Sequence, residues 1–191
     1  MIWKGNSSDE QRLVKRLRNG DNGAMRDFYA LYADYLVGVC SRYVVDEDDI
    51  KDVFQDSLVS IFTHIADFQY RGADSLKAWA TKIAVSQSLK FLKTARRHEM
   101  LQLERDIIDE PEADDPPVRD IPPDVIHQMV CQLPTGYRTV FNLYVFEGKS
   151  HKEIASLLGI KENTSSSQLH RAKNLLVRMI QEYNNKKQQP R

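Results

Sequence analysis

Apolar side chains recur along this chain at every third or fourth position and almost nowhere at every second, so the pattern predicts helices throughout and an all-α fold. Phe28, Leu31, Tyr32, Leu36, Val39 and Tyr43 share one face of an early helix. A second is expected to begin in the acidic run Asp46 to Asp49, because carboxylates are favourable at the positive end of a helix dipole. It turns Ile50, Val53, Phe54, Leu58, Ile61, Phe62 and Ile65 inward and Asp52, Gln55 and Asp56 outward. Asp67 to Ser75 reads as a loop from its glycine and polar content, and Ser75 is placed to cap a third helix reaching Arg97. Leu76, Trp79, Ile83, Leu89 and Leu92 give that helix its apolar side.

The pattern then breaks. Residues 98–121 carry repeated carboxylates and prolines that forbid a continuous helix, which predicts a flexible acidic linker between domains at 9–97 and 122–183. Beyond it, Asp124 to Leu133 forms a helix with Val125, Met129 and Val130 inward, stopped by Pro134. Thr135 is placed to cap the next, which buries Tyr137, Val140, Phe141 and Tyr144 before Gly148. The tail after Tyr183 is polar and expected to fray.

Ser150 to Met179 is the most informative stretch. Ser150 and Glu153 have the spacing of a capping box, Ile154, Leu157 and Leu158 form an apolar face, and Gly159 permits the left-handed backbone that ends a helix. Asn163 or Thr164 is positioned to cap a following helix that turns Leu169, Ala172, Leu176 and Met179 toward the first. The result is a helix-turn-helix, whose outer face is expected to offer Thr164, Ser165, Ser167, Gln168, His170, Arg171 and Lys173 to DNA. A solvated helical hairpin would need neither the box nor the glycine turn.

Charge sharpens this reading once the zero net charge is divided along the chain. Residues 98–120 hold 2 basic and 9 acidic side chains, whereas 121–191 hold 10 and 5, the sign required of a phosphate-neutralising module. On the third helix Lys77, Lys82, Lys90, Lys93, Arg96 and Arg97 follow one another with no acid between them, which predicts a second nucleic-acid face. The chain has no apolar run long enough to span a bilayer and no leader pattern, so it is expected to stay in the cytoplasm. Cys40 and Cys131 are too far apart in sequence to predict a disulfide framework or a zinc site. His127 and Cys131 share a helical face but lack two further ligands, so no metal and no cofactor are expected.

These residues together resemble the bacterial sigma factors of the extracytoplasmic-function (ECF) type in the sigma-70 family. Leu133 to Leu176, LPTGYRTVFNLYVFEGKSHKEIASLLGIKENTSSSQLHRAKNLL, is similar to the family's region four, which reads the minus-thirty-five element. DDIKDVFQDSLVSIF, Asp48 to Phe62, resembles the region-two helix that docks on the polymerase clamp, which implies core-polymerase contacts at Asp52, Gln55 and Asp56. SLKAWATKIAVSQSLKFLKTARR, Ser75 to Arg97, resembles the helix that meets the minus-ten element. The resemblance implies that the loop before it holds a flipped base, with Tyr70 and Arg71 as its stacking or phosphate-pairing side chains. Lys82, Lys90, Lys93, Arg96 and Arg97 would then line the opened strand. Val85 and Ser86 stand where the family commonly has Arg-Asn, so those positions inherit no contact.

The implied function is promoter-specific initiation with core RNA polymerase and promoter DNA as partners, together with an anti-sigma factor that in this family is often membrane-anchored. A transcription regulator with a LuxR-type output domain shares the helix-turn-helix but has no use for the docking helix or the basic helix. An enzyme reading finds no nucleophile motif, paired carboxylates or phosphate loop, and no small-molecule substrate is expected.

Overall fold

Ser7–Arg18, a stretch to which the hydrophobic pattern assigns no element, forms the first helix, α1. Its apolar face is short, just Leu13, Val14 and Leu17, all buried. Asp21 then caps α2, Asn22–Ser41, by accepting the Gly23 and Ala24 amides at 2.7 and 3.2 Å. Arg16 of α1 bonds both Asp21 and Asp27 at 2.7 Å, and the Arg16 side-chain bond holds the Asp21 carboxyl below the usual range.

The computed structural model describes residues 7–95 and 121–188. The chain divides into two compact units, Met1–Ala95 and Arg96–Arg191.

In the first unit α3, Glu47–His64, starts at the acidic run as expected, with Asp46 accepting the Asp48 and Asp49 amides at 3.0 and 3.1 Å. A 3-10 turn at Ile65–Asp67 ends it, and α4, Ser75–Ala95, follows the loop. Helices α2, α3 and α4 pack on one another around Phe28, Leu36, Tyr43, Val53, Ile61 and Leu76, none more than 2 % exposed. Small polar residues, Ser57 and Ser88, sit inside this core because each returns its hydroxyl to a carbonyl one turn back.

The second unit contains α5, Pro123–Gln132; α6, Thr135–Val145; α7, His151–Leu158; and α8, Glu162–Gln188. A core of Ile121, Met129, Val130, Leu133, Ala172, Leu176 and Ile180 joins α5 to α8. Arg138 is buried at its edge and donates to the Cys131 and Leu133 carbonyls, which closes the α5–α6 corner.

Several local expectations are corrected. Thr135 is the first residue of α6 rather than its side-chain cap, and Pro134 occupies the cap position without a side-chain bond. Helix α6 ends at Val145, short of the expected stop at Gly148, and leaves Tyr144, expected on its buried side, 41 % exposed. The stretch after Tyr183 continues α8 as far as Gln188, with Lys186 and Lys187 in the last turn where cations suit the helix dipole.

Candidate nucleic-acid interface

The capping box at Ser150 forms as its spacing requires. The Ser150 hydroxyl accepts the Glu153 amide at 3.3 Å, while Glu153 accepts the Ser150 amide at 2.8 Å and the hydroxyl proton at 2.7 Å. These bonds to the ionised form hold the Glu153 carboxyl below its ordinary range, the side-chain bond contributing most. Gly159 closes α7 in the left-handed region at φ 70°, its amide bonded to the Ala155 carbonyl at 2.9 Å. Helix α8 begins at Glu162, ahead of both expected caps, Asn163 and Thr164.

The face that α8 turns outward differs from the expected one at two positions. Ser165 is fully buried and Gln168 is 6 % exposed. With Leu169, Ala172 and Leu176 they occupy a single stripe at helical spacing, and α7 packs against α8. Ser165 is small enough for that approach, and its hydroxyl lies 3.0 Å from His151 Nδ1 on the first residue of α7. The His151 ring in turn stacks on Tyr144 of α6, centroids 5.0 Å apart. Neither Ser165 nor Gln168 therefore offers its side chain to a groove. Asn163, Ser166, Ser167 and Lys173 are exposed, and Thr164, His170 and Arg171 are half-buried. Ser166 could have been found from sequence by spacing alone, since it stands four residues before His170 and seven before Lys173. Arg171 donates to the Tyr137 hydroxyl at 3.1 Å, which fixes its guanidinium against α6 and leaves other donors of the fork unengaged by that bond.

In the first unit, Asp52, Gln55 and Asp56 are all exposed on α3. Val59, at the next position of the same stripe, is 66 % exposed, an apolar residue in water that the inward-facing pattern did not single out. On α4, Lys82, Lys90 and Lys93 are exposed, whereas Lys77 lies over the Tyr35 ring at 4.1 Å. Arg96 and Arg97 lie outside the described residues, as does the linker through residue 120.

Between the 3-10 turn and α4 the loop borders a cleft of about 430 Å³ lined by residues including Phe68, Arg71, Trp79 and Lys82. Trp79 packs on Phe68, ring centroids 5.1 Å apart, so the indole is engaged by the loop's first aromatic residue. Arg71 is exposed and Tyr70 half-buried. The loop leaves through Asp74, a non-glycine residue in the left-handed region at φ 61°. Ser75 is the first residue of α4, and its hydroxyl accepts the Arg71 amide within the loop at 3.2 Å. The first-turn amide of Leu76 is taken by Glu10 of α1 at 2.6 Å.

His127 and Cys131 do share a face of α5, with Nε2 and Sγ 3.5 Å apart. Burial pushes the Cys131 thiol up, away from the thiolate a metal needs. Among the described residues no group of three or more His, Cys, Asp or Glu side chains could hold a metal ion, and no helix is long and apolar enough to cross a membrane.

The fold and these surfaces define a two-unit helical protein with a helix-turn-helix in its second half. Residues 28–98 match the family profile of Sigma-70 region 2, and residues 124–176 match that of Sigma-70, region 4. The chain is 26 % identical to the RNA polymerase sigma-H factor of Pseudomonas aeruginosa, over 90 % of this chain and 94 % of that one. It is 28 % identical to the ECF RNA polymerase sigma-E factor of Haemophilus influenzae, over 90 % and 95 %. Among solved structures, the sigma factor RpoE in complex with the anti-sigma factor NepR from Bartonella quintana aligns with a TM-score of 0.48. Its sequence identity is 20 %, covering 82 % of this chain and 96 % of that one. The chain belongs to the sigma-70 family, as a sigma factor of the ECF type. As such it binds core RNA polymerase, directs it to specific promoters and helps melt DNA for initiation.

Proposed function

We propose the following division of that work among the residues. Asp52, Gln55 and Asp56 on α3, extended by Val59, form the core-polymerase docking stripe of a domain spanning 9–97. The loop with Tyr70 and Arg71 receives an unstacked base of the minus-ten element, and Lys82, Lys90, Lys93, Arg96 and Arg97 guide the opened strand. In the second domain, 121–188, the minus-thirty-five element is read by Thr164, Ser166, Ser167, His170, Arg171 and Lys173, while the buried Ser165 and Gln168 make no direct contact. The acidic segment 98–120 links the two and suits a basic channel by charge, Ile121 belonging to the core of the second domain. The protein acts in the cytoplasm by binding and positioning, without a catalytic step of its own, and is held in check by an anti-sigma factor.

The observation that carries this reading is the presence of two exposed surfaces of different chemistry on the first unit. An acidic and apolar stripe on α3 suits a protein partner, and exposed lysines on α4, the first of them lining the loop cleft, suit a single strand. Run-off transcription with purified core polymerase on a pool of genomic fragments tests it. Discrete transcripts that require the protein are expected, and no transcript together with no polymerase complex would overturn it.

A further inference from the structure

Glu10 is a carboxylate only 4 % exposed, on a helix that precedes the segment matching Sigma-70 region 2. A buried carboxylate is costly unless its oxygens are satisfied. Here they accept the Asp74 amide at 2.7 Å and the Leu76 amide at 2.6 Å, with the Ser75 hydroxyl at 3.5 Å. All three groups stand where the loop of residues 68–74 becomes α4. Two turns further along α1, Arg18 donates to the Phe68 carbonyl, where the same loop begins, and its Nε lies 3.5 Å from the Ile65 carbonyl. Glu10 shares its helical face with Leu13, Val14 and Leu17, so the packing of α1 aims the carboxylate at the loop.

We propose that Glu10 and Arg18 are positioning residues for promoter opening: α1 grips both ends of the loop and holds its middle, Gln69 to Ala73, in the shape that accepts an unstacked base. The inference rests on the assignment of that loop to the minus-ten element. Two features give the grip its purpose. Asp74 sits at φ 61°, a strained conformation that persists only when its surroundings over-determine it, and Glu10 binds its amide directly. Between the two grips Gly72 sits at φ 113°, a backbone conformation that glycine adopts without the steric cost a side chain would add. A strand held at both ends has fewer conformations to lose when a base enters than one free to wander.

The test uses full-length protein assembled with core polymerase and a promoter recovered by run-off transcription from genomic fragments. The probes are that promoter's non-template minus-ten strand, intact and with one abasic site placed at each position in turn. The wild type should bind the intact strand better than at least one abasic strand. E10A and R18A should reduce that preference by about tenfold while binding core polymerase as the wild type does. E10Q keeps one carbonyl acceptor and should fall between. D21A, which removes a cap between α1 and α2, serves as the control for general destabilisation and should keep the preference. If the wild type shows no preference at any position, the loop assignment fails and the proposal with it. If the wild type discriminates and E10Q and R18A discriminate equally well, the loop assignment stands and the positioning role is overturned. E10Q and R18A decide the matter should E10A fail to fold.

Discussion

The Ser165 hydroxyl lies 3.0 Å from Nδ1 of His151, joining the first residue of α7 to the buried side of the recognition helix. Ser165 therefore belongs to the packing of the helix-turn-helix, and its neighbour Ser166 belongs to the surface. Ser165→Ala should lower stability by about 1 kcal/mol through the lost bond and leave promoter preference unchanged. Ser166→Ala and Ser167→Ala should do the reverse. Urea unfolding and promoter binding by the polymerase complex, measured on the same variants, separate the two. A change of promoter preference in Ser165→Ala at wild-type stability would contradict the packing assignment.

Arg171 is held against α6 by the Tyr137 hydroxyl. Arg171→Ala should weaken promoter binding by about 1 to 3 kcal/mol if a remaining guanidinium donor reaches a base. Tyr137→Phe removes only the tether and should cost less. A gel shift with the polymerase complex measures both, and equal loss in the two variants would show that the tether, not a base contact, is what matters.

On α3 the exposed positions predict a loss of binding without a loss of fold. Replacing Asp52 and Gln55 by alanine should reduce affinity for core polymerase while stability stays within about 0.5 kcal/mol, since neither side chain is buried. Val59→Asp should weaken docking further. Native gel titration of core polymerase, beside thermal unfolding, checks this, and unchanged affinity in all three would remove the stripe from the interface.

Lys82, Lys90 and Lys93 should act through phosphate charge. Replacing all three by alanine should flatten the salt dependence of single-strand binding by about 2 in the log-log slope, at roughly 0.7 per phosphate contact. An unaltered slope would mean that the lysine row is merely solvated.

Glu153 predicts the acid response of the recognition motif. Its carboxyl is held below the ordinary range by Ser150, so the box contributes stability above the unfolded-chain value of 4.5. That contribution is lost as pH falls through the lowered folded value. Carboxyl NMR titration should place Glu153 below a reference glutamate, and Ser150→Ala should return it toward 4.5. A Glu153 that titrates identically in both proteins would contradict the box.

Legibility followed distance along the chain. The box at Ser150 and Glu153, the glycine stop at Gly159 and the start of α3 at Asp46 were readable because each is closed by residues within a turn of one another. Helix α1 was not, since three apolar residues give too short a stripe to stand above loop composition. The inward turn of Ser165 and Gln168 is hidden in the sequence for a related reason. Periodicity counts apolar residues, and a polar residue on the buried stripe looks like surface until its hydrogen-bond partner on another helix is known.

The sequence by itself determined the helical class, the acidic break between two halves, the helix-turn-helix and the lysine row, because propensity, capping and charge are local properties. Only the tertiary structure decided which side of α8 meets α7, and that Glu10 and Arg18 reach the loop before α4. Those contacts join residues 14 to 66 positions apart, and a buried polar group takes the partner that packing brings to it.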